Sequence, residues 1–292
     1  MPEQQHFLAR FYLEGFAIAE GSQAGSCWVF EPGRGIRLTG PRGIAKRPDY
    51  FRLAWHGNPR AMEGLFGRVE AEAAPVVREI LRQPAVPQGD GRQWLIVFVG
   101  IHLLRVPHMR DAVNDFSSRV CNSILAAYAQ RAEGLWNMPA DAAEGAGQYD
   151  FRHAENGEAS VLIQALPSVI RVLDDMKMHI AVPPPGSAFI TGDRPVSTFA
   201  PGHGGWSTGL AMPRVEVVFP LGSQVCLVFN WDGPGGLLQF SEEQVNQVNY
   251  RTTTYSRQLL VGSDKALIQD LRARQTSGSS ATGHAGPGPR GT

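Results

Sequence analysis

The chain has 292 residues, 27 basic and 27 acidic side chains and 43% hydrophobic residues, enough apolar material for one large or two small domains and too much for disorder throughout. Balanced charge gives no global electrostatic support for nucleic acid or an acidic membrane surface as partner, and leaves only a local basic groove open. Cys27, Cys121 and Cys226 are far apart and lack CxxC spacing, which predicts free thiols in a reducing compartment; with no membrane-span run and no signal-peptide pattern, the expectation is a cytoplasmic protein without a membrane partner.

From Ser26 to Thr39, two short apolar runs flank a Pro-Gly-Arg-Gly turn, which predicts a hairpin. After Asn58 and Pro59, the residues Met62, Leu65, Phe66, Val69, Ala73, Val76, Val77 and Ile80 recur at three- and four-residue steps, predicting an amphipathic helix kinked at Pro75. The run from Gln93 to Val106 is apolar nearly all round, and its length favours a buried helix. Beyond Pro107, a stripe through Met109, Val113, Phe116, Val120, Ile124, Ala127 and Tyr128 predicts another. A polar loop from Pro139 to Gln148 leads to a helix over about Ala159 to His179, bent at Pro167.

The run Pro183 to Gly186 must end any helix, and the chain changes character there. Ser187 to Thr191, Val215 to Phe219, Gln224 to Phe229 and Leu259 to Val261 read as strands. Ser241 followed by two glutamates predicts a helix start, and Asp264 to Arg274 a last helix. From Gln275 onward the Gly-, Ser- and Pro-containing stretch reads as a flexible tail. The expected fold is a mostly helical α+β domain over 1–274, its helical centre flanked by an N-terminal hairpin and a small C-terminal sheet.

Several polar residues invite a chemical reading. His6 and Arg10 lie four residues apart, so one helical turn would put an acid or base beside an anion clamp; the bland alternative is a pair tying the N-terminal segment to the core. Glu63 and Glu70 share a helix face and could meet a divalent metal in a cleft, or simply lie on a solvated surface. Arg105 ends a buried run, where a charge needs a carboxylate partner. In Phe189 to Val196, a strand leads into Gly192-Asp193-Arg194-Pro195, and Asp193 is either a base or metal ligand, or the cap of a turn. No P-loop, GxGxxG, GxSxG or HExxH pattern occurs.

Taken in order, QHFLARFYLEGF (Gln5 to Phe16), GIAKRPDYF (Gly43 to Phe51), MEGLFGRVEAE (Met62 to Glu72), LLRVPHMR (Leu103 to Arg110), FITGDRPV (Phe189 to Val196), FPLG (Phe219 to Gly222) and VNYRTTTYSRQLLVGSDK (Val248 to Lys265) resemble the domain-of-unknown-function family numbered 4238. The resemblance implies matching positions at His6, Arg10, Tyr12, Glu63, Glu70, Arg105, Asp193, Pro195 and Asn249, with Gly192 and Arg194 departing from the family's Thr-Ser-Asp-Asn-Pro motif. It carries no established activity. Two expectations follow. The first is a hydrolase of phosphate-containing or nucleic-acid substrates, with His6 as acid or base, Glu63, Glu70 and Asp193 as metal or water ligands, and Arg10, Arg105 and Asn249 in binding. The second is a non-catalytic binding or defence-associated interaction module, in which the same residues form a buried polar network that fixes the fold.

Overall fold

The computed structural model describes residues 4–48, 61–104, 109, 113–123, 157–201 and 209–281. Strand β1 (Gln4–His6) pairs antiparallel with β4 (Lys46–Pro48), and a short helix α1 (Arg10–Glu14) follows β1. The predicted hairpin forms from β2 (Cys27–Glu31) and β3 (Gly35–Thr39), with Gly33 and Gly35 supplying positive φ at the turn. Helix α2 (Ala61–Arg82) buries Met62, Phe66, Val69, Ala73, Val77 and Ile80 of the predicted stripe, with Val76 half-buried and Leu65 exposed at its edge. It runs through Pro75, which sits on the exposed face, where the carbonyl that loses its donor can turn to water.

Helix α3 (Gly89–Leu104) has no amphipathic face because it has no solvent face in its second half: Leu95, Ile96, Phe98, Val99, Ile101 and Leu104 are all buried. It packs between α2 and α4 (Gly157–Asp175). Two expectations need correction here. The helix predicted to reach His179 ends at Asp175, and the next residues form strand β5 (Lys177–Val182). Met178 to Ala181 are buried in succession, which suits a buried helix end and a two-sided strand alike, and pairing with two later strands, Val225–Asn230 and Gly236–Gln239, decides for the strand. Of the stripe predicted beyond Pro107, Met109 and Val113 pack half-buried against the core, whereas Phe116 and Val120 in the helical stretch 113–123 face solvent, 69% and 38% exposed. The predicted loop from Pro139 to Gln148 lies outside the described residues.

The C-terminal half is β6 (Thr191–Gly192), β7 (Ser197–Phe199), β8 (Glu216–Gly222), β9 (Val225–Asn230), β10 (Gly236–Gln239), α5 (Glu242–Tyr255), β11 (Leu260–Gly262) and α6 (Lys265–Ala281). Five strands form a sheet in the order β10-β5-β9-β8-β7, antiparallel apart from the β10–β5 pair. Alternation along β8 and β9 divides its side chains between two faces. Val217, Phe219, Leu221, Leu227 and Phe229 join the core built by α1, α2 and α3, whereas Val218, Cys226 and Val228 meet Val245 and Val248 of α5.

A second sheet has the order β3-β2-β11-β6 and is covered by Ile268 and Leu271 of α6. The hairpin therefore shares a sheet with β6 and β11, where the sequence suggested two flanking pieces, while the remaining C-terminal strands form the five-stranded sheet; the fold class is α+β as expected. Helix α5 opens on a capping box, Ser241 Oγ accepting from the Gln244 amide and Gln244 Oε1 from the Ser241 amide. Helix α6 continues to Ala281, past the point where a flexible tail was expected, and residues 282–292 lie outside the described residues.

Candidate functional site

The segment Ala188 to Asp193, which includes edge strand β6, is held by side chains from three directions. Asn249, buried on α5, accepts from the Ile190 amide at 3.0 Å through Oδ1 and donates to the Ala188 carbonyl at 2.8 Å through Nδ2. Its amide thus does for this segment what a neighbouring strand would do. Thr191 shares a 2.6 Å hydrogen bond between its hydroxyl and that of Tyr12 on α1. Asp193 closes the third side. Its carboxylate accepts from three successive backbone amides, Arg257 at 3.3 Å, Gln258 at 3.0 Å and Leu259 at 3.0 Å, while its own amide donates to the Leu259 carbonyl. With 2% of its surface exposed, this charge is tolerated because backbone dipoles replace its water.

Gly192 is required for that approach. A Cβ there would stand 2.6 Å from the Leu259 carbonyl oxygen and closer still to Ser256 Oγ. The departure from the family motif at this position therefore accompanies a contact that leaves no room for a side chain.

Tyr12 is fully buried, with Phe219, Phe16 and His102 ring centroids at 5.0, 5.4 and 5.5 Å. Burial pushes its phenol well above the ordinary value, the Thr191 hydrogen bond opposing. His102 is buried too, its Nδ1 2.9 Å from the Phe98 carbonyl one helical turn earlier.

The other residues singled out in the sequence are placed differently. His6 ends β1 and Arg10 opens α1, so they do not share a helical turn; Arg10 instead pairs with Glu14 at 3.1 Å on the surface. Glu63 Oε2 accepts from Gln5 Nε2 at 3.2 Å, and Glu70 is half-buried on the same helix. Gln5 stands opposite Arg47 in the β1–β4 ribbon and His6 opposite Lys46, so alternation puts His6 on the ribbon face away from Gln5. Arg47 in turn donates to the Gln258 side chain, and it is the backbone amide of Gln258 that binds Asp193. Glu63 therefore contacts one strand of the ribbon and Arg47 of the other strand reaches the Asp193 turn, while Arg10 is paired elsewhere and Arg105 falls outside the described residues. Among the described residues, no group of three or more His, Cys, Asp or Glu side chains is arranged to hold a metal ion.

A family model described as protein of unknown function, DUF4238, matches residues 4–266. The chain belongs to that family. No curated protein and no solved structure matches it. Among the described residues of this DUF4238 protein, no helix is long and apolar enough to cross a membrane.

Three arginines around the Asp193 turn escaped the sequence reading. Arg194 is half-buried, with its guanidinium carbon 5.1 Å from the Tyr255 ring centroid. Burial lowers its pKa to about 10, partly offset by Asp193 and Tyr255, with Arg257 adding to the fall. Arg47 reaches the same turn through Gln258, and Arg257 is exposed on it. Only the Arg194-Pro195 step after Asp193 hinted at this, since the other two come from strand β4 and from the α5–β11 connection.

Proposed function

We propose that this DUF4238 protein is a non-catalytic binding module whose motif residues form its frame. The observation that carries this reading is the commitment of both Asp193 oxygens to the amides of Arg257, Gln258 and Leu259. A base or metal ligand needs a lone pair facing substrate, and this carboxylate is buried with both oxygens turned to backbone. Asn249 and Tyr12, likewise matching positions, are engaged in the same way with Ala188, Ile190 and Thr191. The hydrolase alternative would draw on Glu63 and Asp193 lying on either side of the β1–β4 ribbon, but His6 is on the ribbon face away from Gln5, the partner of Glu63. A cytoplasmic setting belongs to this proposal, because Cys27, Cys121 and Cys226 are all free.

The test is Asp193→Asn, read by thermal unfolding and by turnover of p-nitrophenyl phosphate and a nucleotide panel. The expected result is a lower melting temperature and no turnover by either protein. Turnover by the wild type that His6→Ala abolishes without loss of stability would overturn the proposal.

A further inference from the structure

The binding-module reading leaves the ligand open. Helix α4 ends on Asp174 and Asp175 with no basic side chain in its last turn, so two carboxylates meet the negative end of its dipole. Arg92 answers one of them, donating through Nη1 to Asp174 Oδ1 and through Nη2 to the Asp174 carbonyl at 2.8 Å. Asp175 receives no such answer. Among the described residues, neither its carboxylate nor the ammonium of Lys177, two positions on, has a hydrogen-bond or ion-pair partner.

Both open groups line one cleft of about 420 Å³, within the size range of small-molecule sites. Val86 from the α2–α3 connection and Pro234 from the β9–β10 connection give it an apolar wall. Gly235 and Gly236 line it as well, at φ of 76° and 120°, where a side chain would be strained, so this part of the wall stays bare. A Cβ on Gly235 would also stand 3.1 Å from the Met178 carbonyl oxygen. Arg92 and Lys177 balance Asp174 and Asp175 in the lining, so the cleft carries no net charge and offers one unpaired charge of each sign.

We propose that this cleft binds a small zwitterion of the amino-acid class, its ammonium on Asp175, its carboxylate on Lys177 and its side chain against Val86 and Pro234. An anion alone would gain from Lys177 and be repelled by two carboxylates, and a cation alone would gain from Asp175 and be repelled by Lys177 and Arg92. A molecule with both charges gains at both places. Its ammonium would also lie at the end of α4 where the helix dipole favours a cation. Asp175 and Lys177 are exposed, so each contact is screened by water and the affinity is about millimolar. This assignment rests on the binding-module reading and names the class of ligand that module takes.

The experiment screens the standard amino acids against the full-length protein by saturation-transfer difference NMR, then titrates the strongest binder by calorimetry beside its decarboxylated amine and its deaminated acid. The proteins are wild type, Asp175→Asn, Lys177→Gln and, as control, Arg34→Gln in the hairpin turn; all three side chains are exposed, so the replacements leave the core untouched, and unchanged melting temperatures check this. The expected result is saturable binding that each cleft variant weakens by about five-fold or more, as does removal of either charge from the ligand, while Arg34→Gln matches wild type. No saturable binding of any amino acid, wild-type affinity in either cleft variant, or an amine or acid that binds as tightly as the parent overturns the proposal. Such a failure leaves the framing role of Asp193 standing, because the melting and turnover experiments test it separately.

Discussion

Replacing Asp193 by asparagine preserves shape and removes one charge and one acceptor. If Asn Oδ1 keeps the amides of Gln258 and Leu259, its Nδ2 must face the Arg257 N–H, two donors meeting where a 3.3 Å hydrogen bond stood. The lost bond, with its buried donor left unmatched, costs roughly 1–3 kcal/mol, and the two remaining bonds each weaken by about 1 kcal/mol on passing from charged to neutral acceptor. A neutral amide is cheaper to bury than a carboxylate, which offsets part of this, so the net loss is about 2–4 kcal/mol. At roughly 2 °C per kcal/mol for a chain this long, the melting temperature should fall by about 4–8 °C. Circular dichroism on both proteins reads this directly. Asp193→Ala should fall further and recover in part with added formate, whose carboxylate can occupy the vacated place on the three amides, whereas chloride should not help. A melting temperature within about 1 °C of wild type for Asp193→Asn would refute the reasoning.

Thr191→Val should cost roughly 1–3 kcal/mol by stranding the buried Tyr12 hydroxyl, and adding Tyr12→Phe should restore part of it; simple additivity in denaturant titrations would contradict the hydrogen bond. Iodoacetamide at mildly alkaline pH should label native protein at Cys121 alone, since burial pushes the Cys27 thiol up to about 12 and the Cys226 thiol well above its ordinary value. A second adduct found by mass spectrometry on folded protein would count against that burial. Arg92 holds the Asp174 carboxyl below its usual range, so the pair contributes above the ordinary carboxylate pKa and its contribution is lost as pH falls through the lowered one. Arg92→Ala should therefore cost at most about 1 kcal/mol at neutral pH, the pair being partly exposed, and the difference from wild type should close in strong acid; a gap that widens there would reverse the sign.

Local patterns carried much of the fold. The buried stripe of α2, the uniformly apolar α3, the glycine-turned hairpin and the capping box of α5 each depend on neighbours within a few residues, and each was legible. What failed depended on distant partners. Strand β5 looked like a helix end because only its pairing with β9 and β10 distinguishes the two. Asp193 read as a base, a metal ligand or a local turn cap, and its amide partners lie more than sixty residues onward, offering backbone N–H groups that no side-chain pattern announces. The same holds for Asn249, which the family resemblance marked but whose role came from meeting Ala188 and Ile190. Arg47 of strand β4 meets Gln258 beside the Asp193 turn, a juxtaposition with no signature along the chain.

The pairing of β2 with β11 sets Phe30 beside Leu260 and Val29 beside Val261. During synthesis the hairpin emerges early, yet the strand that completes its sheet is among the last described segments to be made. Its inner border must wait, unzipped and ready to pair with a wrong chain, for nearly the whole of translation. Premature termination anywhere before β11 should thus yield aggregates and not a smaller folded protein, and a nascent chain of this design has reason to engage a chaperone at its amino-terminal end.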